Sequence, residues 1–216
     1  MKKKLKKLIQ KLYWLINILP FNNSIKIKKT KKINDGATLV KCRIRSRGNN
    51  TIIFQKGAII RKTKINIKGS NNVVEIGAKA NINCGDIYIE DDGNSVVIDE
   101  GTNICGRTHL ECTEGKSIHI GKDCLFSSEI VFRTGDSHSI LDMDGNRINP
   151  SESIVVQDHV WIGYRALVNK GVVIPKNSVV GTGAVVTKAF EEENVILAGV
   201  PAKIVKHNID WKHERV

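Results

Sequence analysis

The chain has 216 residues, 41% of them hydrophobic, enough for one large domain or two small ones and too apolar for a disordered chain. Ile and Val supply 50 residues while aromatics are 5%, a balance that favours β-structure around a thin, layered aliphatic core. The net charge of +12 sits almost wholly in residues 1–32, which hold eleven lysines and no acid; residues 33–216 carry 23 basic against 22 acidic side chains. A nucleic-acid-binding domain spreads its cations over a folded face, so nucleic acid is not an expected partner.

In chain order, the first element is a basic arm. Leu5, Leu8, Ile9, Leu12, Leu15, Ile16 and Leu19 follow helical spacing, six lysines crowd residues 2–11, and Pro20 marks the end. Asn17 interrupts the apolar stretch and no small-residue cleavage site follows, so a signal peptide is a poor match. No apolar run reaches the ~18 residues of a membrane-spanning helix. Residues 1–20 read either as an interfacial helix on an anionic membrane or as a cap over the open end of the domain. Residues 22–33 read as a polar, basic connector, so 1–33 form an arm and linker.

The body carries a six-residue repeat. Val156, Ile162, Val168, Ile174, Val180 and Val186 are evenly spaced, with Val160, Ala166, Val172, Ser178 and Ala184 four positions after the first five. Ile53, Ile59 and Ile65, then Ile76 and Ile82, then Ile98, Ile104 and Leu110, then Ile120, Phe126 and Phe132 show the same step. The register slips between these groups, which predicts bulges or small insertions before residue 120. A period of six is neither helix nor meander. It suits a chain that runs a short strand, turns and repeats, three sides closing a coil of about 18 residues stacked at about 4.8 Å. The expected fold is all-β: a parallel β-helix over residues 34–190 and a short extension over 191–216.

Val156 follows Phe132 by 24 residues, four steps of six, so the phase is kept, but the stretch between is polar. Residues 133–153 should therefore leave the prism and return in register, as a protruding loop that carries chemistry. His138 lies in it. An imidazole, ordinary pKa about 6.5, can take a proton from a hydroxyl at neutral pH. Trp161 occupies the last position of its unit and should point outward.

The stretches IGKDCLFSSEI (120–130), RTGDSHSI (133–140), DHVWIG (158–163) and VVGTGAVVTK…ILAGVPAKIVK (179–206) resemble the hexapeptide-repeat acyltransferases, whose fold is a left-handed parallel β-helix. Within them the arrangement is most like bacterial sugar and polysaccharide O-acetyltransferases, including those acting on sialic acid capsules. The resemblance implies an acetyl-CoA-dependent sugar O-acetyltransferase that works as a homotrimer, with His138 as general base. It sets Trp161 beside the thioester, a trimer-interface aromatic being the alternative. Gly163, Gly181, Thr182, Gly183 and Ala184 would lie along the pantetheine arm, with Ala198, Gly199 and Pro201 after the last coil. Lys188, Lys203 and Lys206 would meet the coenzyme's phosphates. Asp136 is either a ring-orienting group or a solvated turn residue; Arg133 and Arg147 either meet an anionic acceptor or are plain exposed charges.

The five cysteines are an odd number with no C-x-x-C spacing, which predicts reduced thiols without a disulfide framework. No metal is expected: a zinc-binding β-helix needs a close H-x₄-H pair, and His207 and His213 are separated by five residues outside the prism. His159 is expected to be polar and exposed. An N-acetyltransferase on an amino sugar or small amine, and a non-enzymatic scaffold, are the alternative functions. The expected location is cytoplasmic, at the inner face of the membrane if the arm binds lipid.

Overall fold

A computed structural model describes residues 23–214; the helix expected over residues 1–20 lies outside them. The described chain is all strand and turn, wound into a three-sided parallel β-helix. Its first face stacks Ser24–Lys28, Arg43–Arg47, Lys64–Ile67, Gly85–Ile89, Thr108–Cys112, Ile130–Arg133, Leu167–Val168 and Val185–Val186. The second stacks Lys31–Asn34, Thr51–Phe54, Val73–Ile76, Ser95–Ile98, Ser117–Ile120, Ile154–Val156 and Val173–Ile174, so seven coils are complete. The third runs from Thr38–Val40 through Ile59–Arg61, Asn81–Asn83, Asn103–Ile104, Leu125–Phe126, Trp161–Ile162 and Val179–Val180 to Ile196–Gly199, and Ala202–Lys206 closes it antiparallel.

Two corrections to the expected boundaries follow. The segment read as a connector, 22–33, supplies strands Ser24–Lys28 and Lys31–Asn34 of the first coil, paired to Arg43–Arg47 and Thr51–Phe54. Its lysines hid the pattern because they occupy outward positions, and because the end coil has neighbours on one side only. The slipping register has an equally simple cause. Late coils are 18 residues round, so Ile162 lies on Val180 and Leu167 on Val185. Earlier coils are mostly 22 round, so Ile60 lies on Ile82 and Ile82 on Ile104. The four extra residues are two on the first face and two on the second. There each strand buries a pair, such as Ile65 with Ile67 or Val74 with Ile76, where late strands bury one residue. The phase read as Ile53 and Ile59 was one residue out: both are half-buried on the outer side, and Ile52, Phe54 and Ile60 fill the core.

One column of aliphatic side chains runs the length of the prism. Phe126 and Phe132 stack within it, ring centroids 5.6 Å apart and 6° from parallel. The wide coils also carry a buried polar ladder at the corner between the first and second faces. The Oδ1 of Asn50 accepts the Asn72 backbone N–H, Asn72 does the same for Asn94, and Asn94 for Lys116, at 2.8–3.0 Å. Each turn would otherwise bury an unpaired backbone donor.

Candidate active site

After Arg133 the chain leaves the first face, and it rejoins the second at Ile154 while Phe132 pairs directly with Val168. The loop is thus an excursion from one coil, planted on the edge between the two faces. Its outer part is a small hairpin, bridged at Leu141 and Arg147, with Asp142 Oδ1 accepting the backbone N–H groups of Asp144 and Asn146. Its base is held by Asn149, which is buried. Asn149 Nδ2 donates to the His138 carbonyl at 2.8 Å and to Asp136 at 2.9 Å, while its Oδ1 accepts the Ile140 N–H at 2.7 Å. The backbone on both sides of His138 is therefore fixed. Ser137, just before it, sits at φ 64°, a left-handed conformation that costs energy and persists only where the surroundings enforce it. The His138 imidazole itself is exposed and makes no hydrogen bond or ion pair among the described residues.

Asp136 takes Lys170 Nζ at 2.5 Å. Lys170 first, then Asn149, holds its carboxyl below the ordinary range. No hydrogen bond joins it to the His138 ring, so its observed work is bracing the loop. Arg133 and Arg147, candidates for an anionic acceptor, are both tied within the chain. Arg133 donates to Glu111 at 2.8 Å and to Ser137 Oγ at 2.7 Å. Arg147 donates to Glu114 at 2.7 Å, and this contact chiefly lowers the Glu114 pKa. Arg133 keeps a buried Nε with no partner, beside a groove of about 580 Å³ that also meets Asp136, Glu152, Asn169 and Lys170.

The expected donor residues collect elsewhere. Trp161 stands out from the third face between Leu125 and Val179, 41% exposed. At the corner that follows, between the third and first faces, Gly163, Gly181 and Ala198 stack in consecutive coils. A Cβ on Gly163 would lie 2.8 Å from Thr182 N and Val180 O, so only glycine lets the next coil approach there. Thr182 and Gly183 are exposed at this corner, with Gly183 at φ 69°. Ala184 is fully buried, so only its backbone, not its methyl group, can face a ligand. Gly199, Pro201 and Lys203 belong to the closing hairpin, and Lys203 and Lys206 are exposed. Lys188 is exposed too, its Nζ 5.5 Å from the Phe190 ring centroid.

His159 departs from expectation. It is half-buried, stacked on Trp211 at 4.3 Å, and Trp211 Nε1 donates to its carbonyl at 2.9 Å. The terminal segment so docks over the edge between the second and third faces, bringing Trp211 to 6.2 Å from Trp161. Asn149, Lys170, Glu111 and Trp211 were not singled out from the sequence. A tryptophan eleven residues past Val200 in a chain with three was a usable signal for the last; the others had none. Burial pushes the Cys124 thiol up to about 12 and that of Cys112 to about 11, so neither supplies a thiolate at neutral pH. Among the described residues no group of three His, Cys, Asp or Glu side chains could hold a metal ion.

A hexapeptide β-helix with an exposed histidine on a braced loop and a bare-backbone corner defines the class: a hexapeptide-repeat acyltransferase. No family model matches the chain. It is, however, 33% identical over 187 residues to the polysialic acid O-acetyltransferase of Neisseria meningitidis, across 76% of this chain and 86% of that one. Its fold matches the solved polysialic acid O-acetyltransferase OatWY with a TM-score of 0.85 at 29% identity, over 90% of this chain and 92% of that one. The polySia-specific acetyltransferase NeuO matches at 0.83 and 28%, over 90% of each chain. The chain belongs to this family of bacterial O-acetyltransferases, and it is an acyltransferase.

Proposed function

We propose that this enzyme moves an acetyl group from acetyl-CoA to a hydroxyl of an acidic cell-surface polysaccharide, at sites formed between neighbours in a homotrimer. The observation that carries it is the braced loop: a backbone tied at His138 and Ile140 by one buried asparagine, presenting an unpartnered imidazole. The relatives' acceptor, polysialic acid, supports the substrate class. The bare corner at Gly163, Gly181, Thr182 and Gly183, next to Trp161, suits a long amide-bearing arm, and Lys188, Lys203 and Lys206 suit its phosphates.

His138 takes the proton of the sugar hydroxyl as that oxygen attacks the acetyl carbonyl. A backbone N–H steadies the oxyanion, the C–S bond breaks, and the imidazolium returns its proton to the departing thiolate. The loop springs from the edge between the first and second faces, whereas Trp161 stands on the third. On this reading one chain separates base from donor, and a neighbouring copy supplies the missing half. His138→Ala should lower kcat by about 10²–10⁴ while coenzyme A still raises the melting temperature; free-thiol release at the wild-type rate would remove the mechanism. The lysines of residues 1–20 would hold the enzyme at the inner face of the membrane. Flotation with anionic liposomes, lost on deleting residues 1–21, tests this location, and flotation unchanged by the deletion refutes it.

A further inference from the structure

The cations that composition assigned to an arm lie partly on a folded face. On the outer side of the first face, the first three strands present Lys26 and Lys28, then Arg43, Arg45 and Arg47, then Lys64 and Lys68, all exposed. The register aligns them: Lys26 lies beside Arg45, Lys28 beside Arg47, and Arg43 beside Lys64. Neighbours across strands are about 4.8 Å apart, and alternate residues along one strand about 6.6 Å. Of the seven, only Lys68 has an acidic partner among the described residues, Glu90 at 3.3 Å. Six like charges are left unpaired on a rigid surface, which is costly in the free protein and favours an anionic occupant. The surface is also concave. A groove of about 570 Å³ meets Lys26, Arg45, Arg47 and Lys68, and one of about 230 Å³ meets Arg43, Arg45 and Lys64 together with Tyr88, His109 and one acid, Asp86, which lies 3.5 Å from His109.

We propose that this cationic face binds an extended polycarboxylate, a run of acidic sugar units of the acceptor polymer remote from the unit being acetylated. The proposal rests on the acceptor reading above and adds where the rest of the chain is held. Three observations favour an acidic glycan. The face belongs to the same sheet as the loop: Ser24–Lys28 and Ile130–Arg133 are five strands apart, about 24 Å, so a polymer on it lies on the way to His138. Its outward positions are Ser24, Asn66 and the seven cations, Lys68 standing one residue past its strand; the exposed Ile25 and Ile27 of the end strand register with the buried Ile44 and Ser46 on the inner side, so no apolar wedge points outward for a bilayer. A single tyrosine, Tyr88 on the next strand, lines the smaller groove, and Lys68 Nζ lies 5.0 Å from its ring centroid; one ring is no platform for successive nucleobases, whereas arginine forks match carboxylates in planar pairs.

The test uses the full chain and polysialic acid, with dextran as the neutral polymer and anionic vesicles and single-stranded DNA as the other anions, and measures binding directly at several salt concentrations. The protein should bind polysialic acid with an affinity that falls as salt rises, and should leave dextran unbound. The triple variant Arg43→Glu, Arg45→Glu, Arg47→Glu should bind the polymer at least about tenfold more weakly, with a flatter salt dependence. The triple Arg→Gln variant, which carries no like-charge crowding with Glu90, should weaken it in the same direction, and thermal melting shows whether each variant is folded. A folded variant that binds polysialic acid like wild type overturns the proposal. So does equal binding of dextran, or a loss confined to anionic vesicles or single-stranded DNA. Acetyl transfer by the wild-type enzyme is measured separately. If that fails while charge-dependent binding holds, the function reading falls and the binding face stands.

Discussion

Asn149 occupies three partners of the loop at once: a carbonyl, an N–H and a carboxylate. Its removal would leave the His138 carbonyl and the Ile140 N–H unpaired at the loop base, while the imidazole remained in place chemically. Asn149→Ala should therefore lower kcat by about tenfold or more, since a misplacement of about 1 Å costs that order of rate or worse. Coenzyme A binding, measured by its shift of the melting temperature, should stay. Loss of both together would mean that the residue merely supports the fold. Residue-level roles of this kind were only half legible. His138 stood out because the loop interrupts a strict rhythm. Its supports did not, because a buried asparagine and a surface asparagine look alike in a sequence, and only the folded loop shows which is which.

At the scale of single coils, the asparagine ladder makes its own wager. Asn72 accepts from Asn94 and donates Nδ2 to Asn50 Oδ1 at 3.1 Å and to the Asp91 carbonyl at 3.0 Å. Asn72→Ala strands the buried Asn94 N–H, and an unmade bond of this sort costs about 1–3 kcal/mol. Thermal or urea unfolding should show a loss in that range. A change below about 0.5 kcal/mol, the usual span for surface substitutions, would show that water satisfies the corner. Asn50, Asn72 and Asn94 recur at intervals of 22, so the ladder was written in the sequence. It lies across the six-residue repeat rather than in step with it, because a coil with two longer sides keeps the step of six only within each group.

For the whole molecule, the decisive consequence concerns the proposed division of the site between the loop of His138 and the face of Trp161. A chain with His138→Ala retains its third face, and one with Trp161→Ala retains its loop. If sites form between copies, mixing the two inactive variants after dissociation should restore a fraction of wild-type activity, because some interfaces then pair an intact loop with an intact tryptophan. Activity that stays at the level of the separate variants would put the whole site within one chain. Sedimentation of the wild type should give three times the mass of the chain, and a fully active monomer would end the shared-site reading.

By itself the sequence determined the β-helix, because burying one aliphatic side chain per side in stacked coils demands a fixed spacing that no other packing reproduces for so long. It also marked the loop, which interrupts that spacing, while the glycine corner at 163 and 181–183 came from the family resemblance. Only the tertiary structure decided the rest. The lysines of residues 26 and 28 join three arginines from a strand about 20 residues on and two further lysines about 40 residues on, Arg133 and Arg147 are consumed by glutamates, and Trp211 returns to cover His159. Those are contacts between positions far apart in the chain, and their partners follow from the number of residues per coil, a quantity that shifts between 18 and 22 and shows locally only as a slip of register.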